Sequence, residues 1–481
     1  MRLPRSRSLA RWGAYQLAFS TIGLASWIPR TFGEVTMEQA LWHLLYADGA
    51  AIMLSEIFYV EFALQVLLVP LMFAVPAALL HGRLALRLAG WRRVGLRAAP
   101  GVAGLAATGA LALQFSAFSY AAAYLEPDRF AQKFVEPRQV GLLAEHRRNL
   151  ILIYAESLET GYQDAALFGR DLLAATRRLQ GHSYGWYRPA AGATWTIAGM
   201  VATQCGVPLR VYAQRDVRAG AEGRAFLPGA TCLGDILAAH GYRNVFLGGA
   251  PLSFAGKGRF LQDHGYGETW GREEWARAGM RRNGFNAWGT FDSALFEQAK
   301  LRLAQLHASG QPFNMTLLTL DTHNPFGFLS EECRKRGATG FDGIVSCSAE
   351  QITEFVEFAR DRGYLDNTVV VVIGDHLAVP NPLYDKLMQA PRRGMFNLFV
   401  GERLPQPNTD EILPFDLFPT LVELAGIRVP GDRLGLGYSA VGDKDVERPA
   451  NRAEEWSLAA VRGSPQYDRL WRPDAAALGA D

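Results

Sequence analysis

The hydrophobic pattern divides the chain into two unlike parts. From the N-terminus to about Leu125, apolar residues come in long runs with few charges, whereas beyond Asn149 they come in short runs separated by polar, helix-patterned stretches. Three of the long runs, Trp12 to Ile28, Ile57 to Leu80 and Ala98 to Tyr124, qualify as membrane-crossing helices by length and paucity of charge. The second contains Glu61, Pro70 and Pro76. A secretory signal peptide is the rival reading of the first run, but no small-residue cleavage site follows it and two further spans do. The stretch Met37 to Leu54 is apolar enough to lie in the outer membrane interface.

In the second part the short runs are rich in β-branched residues: Leu150 to Ala155, Asn244 to Gly248, Asn314 to Leu320, Thr368 to Ile373 and Phe396 to Val400. Helical patterns intervene at Phe291 to Leu306, Ala349 to Arg362 and Leu417 to Ala425. The alternation predicts an α/β fold, a mostly parallel sheet with helices on both faces. The expected organisation is a membrane region over residues 1–125 with about three helices, a polar linker of helix and loop over 126–148 containing Pro127 and Pro137, and a globular domain over 149–440. A polar tail over 441–481 carries Trp456 and Trp471 and has no assigned role.

Charge sets the expected orientation. Arg2, Arg5, Arg7 and Arg11 precede the first span, and Arg83, Arg87, Arg92, Arg93 and Arg97 lie between the second and third, whereas Thr31 to Glu56 holds no lysine or arginine. Positive loops stay cytoplasmic, so three crossings put everything after about Leu125 outside. A formal net charge of +2 gives no support to nucleic-acid binding, which wants a basic stripe. All four cysteines, Cys205, Cys232, Cys333 and Cys347, fall in the outer part, where disulfides persist. Three connectivities exist, and pairing Cys205 with Cys232 and Cys333 with Cys347 closes the short local loops.

Candidate chemistry gathers at strand ends. The run NLILIYAESLE carries Glu156 to the tip of a buried-type strand, and TVVVVIGDH does the same for Asp375 and His376. In an α/β sheet the C-terminal strand ends are where sites are built. Glu, Asp and His together are ligand types for one divalent cation, Mn²⁺, Mg²⁺ or Zn²⁺. Between these runs, AGATWTIAGMVATQCGVPL sets Thr196 at the start of a helical run. Free amides and the positive dipole end there favour a phosphate. A nearby cation can turn the hydroxyl into a nucleophile. A plain helix cap is the alternative reading of Thr196.

These segments, together with FLGGAPLSFAGKG, DTHNPF and IGDH in the same order, resemble the sulfatase-like branch of the alkaline phosphatase superfamily. The likeness is nearest to the membrane-anchored phosphoglycerol transferases of periplasmic glucans, relatives of the lipoteichoic acid synthases, and runs from about residue 149 to 440. The resemblance implies that Glu156, Asp375, His376 and Thr196 hold one metal ion, Mn²⁺ first and Mg²⁺ or Zn²⁺ otherwise, with Thr196 also the nucleophile. It implies a substrate-site role for His323, as proton donor to a leaving alkoxide, and for Lys257. The implied reaction moves phosphoglycerol from phosphatidylglycerol to a periplasmic glucan through a phosphoglyceryl-threonine, releasing diacylglycerol. The implied location is the inner membrane, multi-pass, with the catalytic domain in the periplasm. The nucleophile loop begins Ala191-Gly192 rather than with the cysteine-glycine of the phosphoethanolamine-transferring relatives, and three spans are counted rather than the five of the lipoteichoic acid synthases. A phosphoethanolamine transferase acting on lipid A or glucan, a hydrolase, and a catalytically silent glucan-binding anchor are the alternatives.

Overall fold

The computed structural model describes residues 5–45, 56–123, 125, 127–210, 225–443, 446–461 and 463–472. They form two compact units, one of Met1–Ala40 and Met53–Leu125, the other of Leu41–Ile52 and Glu126–Asp481.

The first unit is helical. Among the described residues two helices are long and apolar enough to cross a membrane, Tyr59–Arg87 and Gly90–Gln114. The helix Arg5–Phe32 has the length but is not among them, one fewer than the sequence pattern suggests. Its apolar run is diluted by Arg11, Gln16, Ser20, Thr21 and Arg30, which lowers its mean hydropathy. The third expected span also sits earlier, because the long helix ends at Gln114 and a separate short helix follows at Ala117–Ala123.

The second unit is built on a six-stranded sheet: β1 (Asn149–Ala155), β2 (Arg243–Gly248), β3 (Glu268–Trp270), β4 (Phe313–Leu318), β5 (Thr368–Gly374) and β6 (Asn397–Val400). The order is β3-β2-β4-β1-β5-β6. All neighbours are parallel except β6, which runs antiparallel to β5. Every residue of β1 beyond Asn149 is buried, and all of β5 is. Strands read as unbroken apolar runs when both faces are covered, and side chains alternate between those faces. Leu150, Leu152, Tyr154, Val369, Val371 and Ile373 pack in one core with α1 (Thr196–Cys205) and α5 (Leu417–Leu424). Ile151, Ile153, Val370 and Val372 pack in the other with α3 (Asp292–Ala308) and α4 (Gly340–Asp361). A further short helix, α2 (Lys257–Asp263), follows β2.

Three local differences from the sequence pattern have physical causes. β3 is a half-buried edge strand of three residues, too short to show a period. Helix α4 starts at Gly340 rather than Ala349, since its first turns carry glycines and serines that pattern as loop and are held by packing. Trp42, from the stretch expected at the membrane interface, is fully buried in the second unit against Phe226 and Trp471, at ring distances of 5.6 and 6.1 Å. Its indole N–H faces the Ala255 carbonyl at 3.4 Å. The rest of that stretch, from residue 46, lies outside the described residues. The tail packs too: Trp456 and Tyr467 are fully buried, and the Tyr467 hydroxyl donates to the Pro208 carbonyl. Both disulfides, Cys205–Cys232 and Cys333–Cys347, are formed.

Candidate active site

Parallel pairing of β1 with β5 aligns Ala155 with Gly374, so Glu156 leaves one strand beside Asp375 and His376 leaving the other. The approach is close enough that a β-carbon on Gly374 would lie 2.0 Å from the Leu158 carbonyl oxygen, which only glycine avoids. One ligand-type atom from each of Glu156, Asp375 and His376 lies within 4.8 Å of the others. His376 Nε2 is 3.6 Å from Glu156 Oε1 and 3.4 Å from Asp375 Oδ2. His376 Nδ1 faces the Leu377 carbonyl at 2.8 Å, a bond that assigns the ring proton to Nδ1 and turns the Nε2 lone pair inward.

The two carboxylates are held from outside the cluster. Asp375 Oδ1 accepts the amides of Ser157 and His376 at 2.8 and 3.0 Å, and Glu156 Oε1 accepts the Ser157 hydroxyl at 2.7 Å. Asp375 Oδ2 is buried and has no hydrogen-bond partner. A buried carboxylate oxygen without a donor is costly unless a cation meets it. Its neighbours, a second carboxylate and an inward imidazole lone pair, complete a donor set that fits a borderline divalent metal. Burial first, and then the charge of Glu156, push Asp375 up to about 7. Burial acts on His376 in the opposite sense, but the charges of Asp375 and Glu156 outweigh it and hold the imidazole above its ordinary value.

Thr196 is the first residue of α1. Trp195 is the N-cap, and its side chain makes no capping bond. Thr196 Oγ1 lies 3.5 Å from His376 Nε2. Helix α1 meets the Asp375 loop backbone to backbone at Gly199, where a β-carbon would sit 2.3 Å from the Asp375 carbonyl oxygen. The Thr194 hydroxyl is buried with no hydrogen-bond partner.

His323 follows β4. Its loop is stitched to the cluster by Thr322, whose hydroxyl donates to the Glu156 carbonyl at 2.6 Å. The ring packs on Trp288 at 5.3 Å with 29° between planes, and Nδ1 faces the Asn324 carbonyl at 2.8 Å. The Asn286 side-chain oxygen accepts the amides of Trp288 and Gly289. Below lie two buried acids, each accepting the other's backbone amide: Asp292 Oδ1 takes Asp321 N–H and Asp321 Oδ2 takes Asp292 N–H, both at 3.2 Å. Lys257 opens α2 and is buried; burial lowers its ammonium to about 8 against the pull of Glu156, Glu273 and Asp375. The structure thus gathers Glu156, Asp375, His376 and Thr196 directly, links His323 through Thr322, and relates Lys257 to them through charge.

Sequence reasoning missed Ser157, the Asp292–Asp321 pair and a buried ion pair, Glu159 with Arg393. Arg393 donates Nη2 to Glu159 Oε1 at 2.7 Å and Nε to Oε2 at 3.0 Å, and also reaches the Ala378 carbonyl. It ties the loop after Glu156 to the loop after His376. The one signal was a second acid in Glu-Ser-Leu-Glu; its arginine stands 234 residues away. A second cluster of metal-ligand types, Cys232, Asp235 and His264, offers neither sulfur nor imidazole, because Cys232 is in a disulfide and both His264 nitrogens face acceptors.

Residues 148–427 match the Sulfatase family, and the chain belongs to it. Phosphoglycerol transferase I of Escherichia coli O127:H6 is 35% identical over 359 residues, 72% of this chain and 45% of that protein. The chain therefore spans about half the length of the curated relatives it matches. Similar solved structures include an alkaline phosphatase superfamily protein from Vibrio parahaemolyticus, at 20% identity and a TM-score of 0.48, covering 70% of this chain and 80% of that one. Another is lipoteichoic acid synthase LtaP from Listeria monocytogenes, at 18% identity and a TM-score of 0.47, covering 61% and 75%.

Proposed function

We propose that the chain is a membrane-anchored phosphoglycerol transferase that moves phosphoglycerol from phosphatidylglycerol to a periplasmic glucan. The observation that carries this reading is the Thr196 hydroxyl 3.5 Å from His376 Nε2, within a buried cluster that also holds Glu156 and Asp375. Family membership and the 35% identity to phosphoglycerol transferase I support it.

Glu156, Asp375, His376 and Thr196 would hold one divalent metal, Mn²⁺ first, which when bound would supply Lewis acidity and lower the pKa of a nearby hydroxyl. The rest falls to the chain's own groups. Thr196 Oγ1 forms a bond to the phosphorus of phosphatidylglycerol as the bond to the diacylglycerol oxygen breaks, leaving a phosphoglyceryl-threonine. His323 donates the proton that the leaving alkoxide takes up. A glucan hydroxyl then attacks the same phosphorus, giving its proton to the now neutral His323, while the P–Oγ1 bond breaks and Thr196 takes back from the medium the proton it released on attack. The amides at the start of α1 and the Lys257 ammonium stabilise charge on the phosphoryl oxygens. On this reading the arginine asymmetry sets residues 149–440 in the periplasm, and the apolar helices keep them near the lipid donor.

The test is a trapping experiment. The purified chain is incubated with labelled phosphatidylglycerol or phosphatidylethanolamine, quenched, and digested for mass spectrometry. A phosphoglyceryl group on Thr196 is expected; a phosphoethanolamine adduct instead reassigns the donor, and no adduct from either lipid overturns the transferase reading.

A further inference from the structure

We infer that Ser157 is a positioning residue that orients the Glu156 carboxylate and leaves Asp375 Oδ2 for a cation, an inference that rests on reading Glu156, Asp375 and His376 as a metal centre. Ser157 has φ of +55°, in the left-handed region. For a residue with a β-carbon that conformation costs about 1–2 kcal/mol, and glycine adopts it freely. Its side chain is buried and bonds no water-exposed group.

The conformation has a use that glycine, the residue it suits best, does not meet. It points the Ser157 amide at Asp375 Oδ1, 2.8 Å away on the neighbouring strand end, while the hydroxyl reaches back to Glu156 Oε1 at 2.7 Å. One residue therefore bonds both carboxylates. The His376 amide adds a second donor to Asp375 Oδ1, which uses that oxygen's in-plane acceptor sites and leaves Oδ2 bare. The Glu156 carboxyl is fixed in rotation by the hydroxyl in the same way. With the glycine alternative the amide bond survives, but nothing orients Glu156. Outer partners of ligating groups set metal affinity in this manner, and their loss typically weakens it 10–100-fold.

Calorimetric titration of the metal-free full chain in detergent with Mn²⁺ alone, and separately with Zn²⁺, tests this. Ser157→Ala and Ser157→Gly both remove the hydroxyl, and the glycine variant also relieves the backbone. Both are expected to bind 10–100-fold more weakly than the parent, with Ser157→Gly melting no lower than Ser157→Ala. If both variants bind within twofold of a binding parent, or if only Ser157→Ala is weakened, the role of the hydroxyl is overturned while the metal centre stands. A parent that binds neither cation overturns the metal reading itself.

Discussion

Thr196 Oγ1 and His376 Nε2 stand 3.5 Å apart although 180 residues separate them in the chain. Two backbone contacts make that distance: α1 rests on the Asp375 carbonyl at Gly199, and β5 rests on the Leu158 carbonyl at Gly374. A side chain at either glycine would push the hydroxyl away from the imidazole.

Thr196→Ala is expected to lower transfer by at least about 1000-fold, since no neighbouring hydroxyl takes its place without moving. Stability should change by about 1 kcal/mol or less, because the contact of the Thr196 hydroxyl with His376 Nε2 is long, at 3.5 Å. Thr194→Ala should still form the adduct. Adduct mapping by mass spectrometry, with thermal unfolding as the control, checks both; an adduct on Thr194 would mean the wrong threonine has been chosen.

Asp375→Asn should abolish tight binding of a divalent cation, because it removes a charge and alters a buried carboxylate oxygen that lacks a donor. Metal content of the purified variant and parent is the measurement. Equal content in the two would remove Asp375 from the ligand set.

Arg393→Met should destabilise the second unit by about 3–5 kcal/mol, since it strands the fully buried Glu159 carboxylate. The double variant Arg393→Met with Glu159→Gln should recover much of the loss. Denaturant unfolding of the four members of the cycle measures the coupling, and additive losses would show that the pair is not coupled.

The Asp292–Asp321 pair predicts a pH dependence. Burial pushes Asp292 up to about 6, and burial and then the charge of Asp292 hold Asp321 well above the usual carboxylate range. A carboxyl with a raised folded pKa binds its proton more tightly when folded, so its stabilisation is full below the unfolded value near 4 and is lost as pH rises through about 6. Stability of the parent should fall over that window, and Asp321→Asn should flatten the fall. Unfolding curves at pH 4, 5, 6 and 7 decide it; parallel profiles for variant and parent would rule the pair out as the source.

A reporter active only in the periplasm should work when fused after Arg148 and fail when fused near Arg92. The opposite result reverses the orientation read from the arginines.

The apolar runs of β1 and β5 were legible in the sequence because a strand buried on both faces has to be apolar throughout, and Glu156, Asp375 and His376 stood out at their ends because together they are metal-ligand types, although either carboxylate taken singly reads as well as a cap on the next helix. The helix start at Thr196 was visible for the same local reason. Order in the sheet, and with it the neighbourhood of Glu156 and Asp375, was decided by tertiary pairing of strands more than two hundred residues apart. So were the partners of Glu159, Asp292 and Trp42: each is a polar or aromatic side chain whose sequence neighbours are ordinary, and whose burial becomes tolerable only when a distant arginine, backbone amide or carbonyl closes on it. Ser157 is the sharpest case, since a serine after a glutamate has no pattern of its own. Its role arises from a left-handed backbone that directs one amide and one hydroxyl to two carboxylates on different strands.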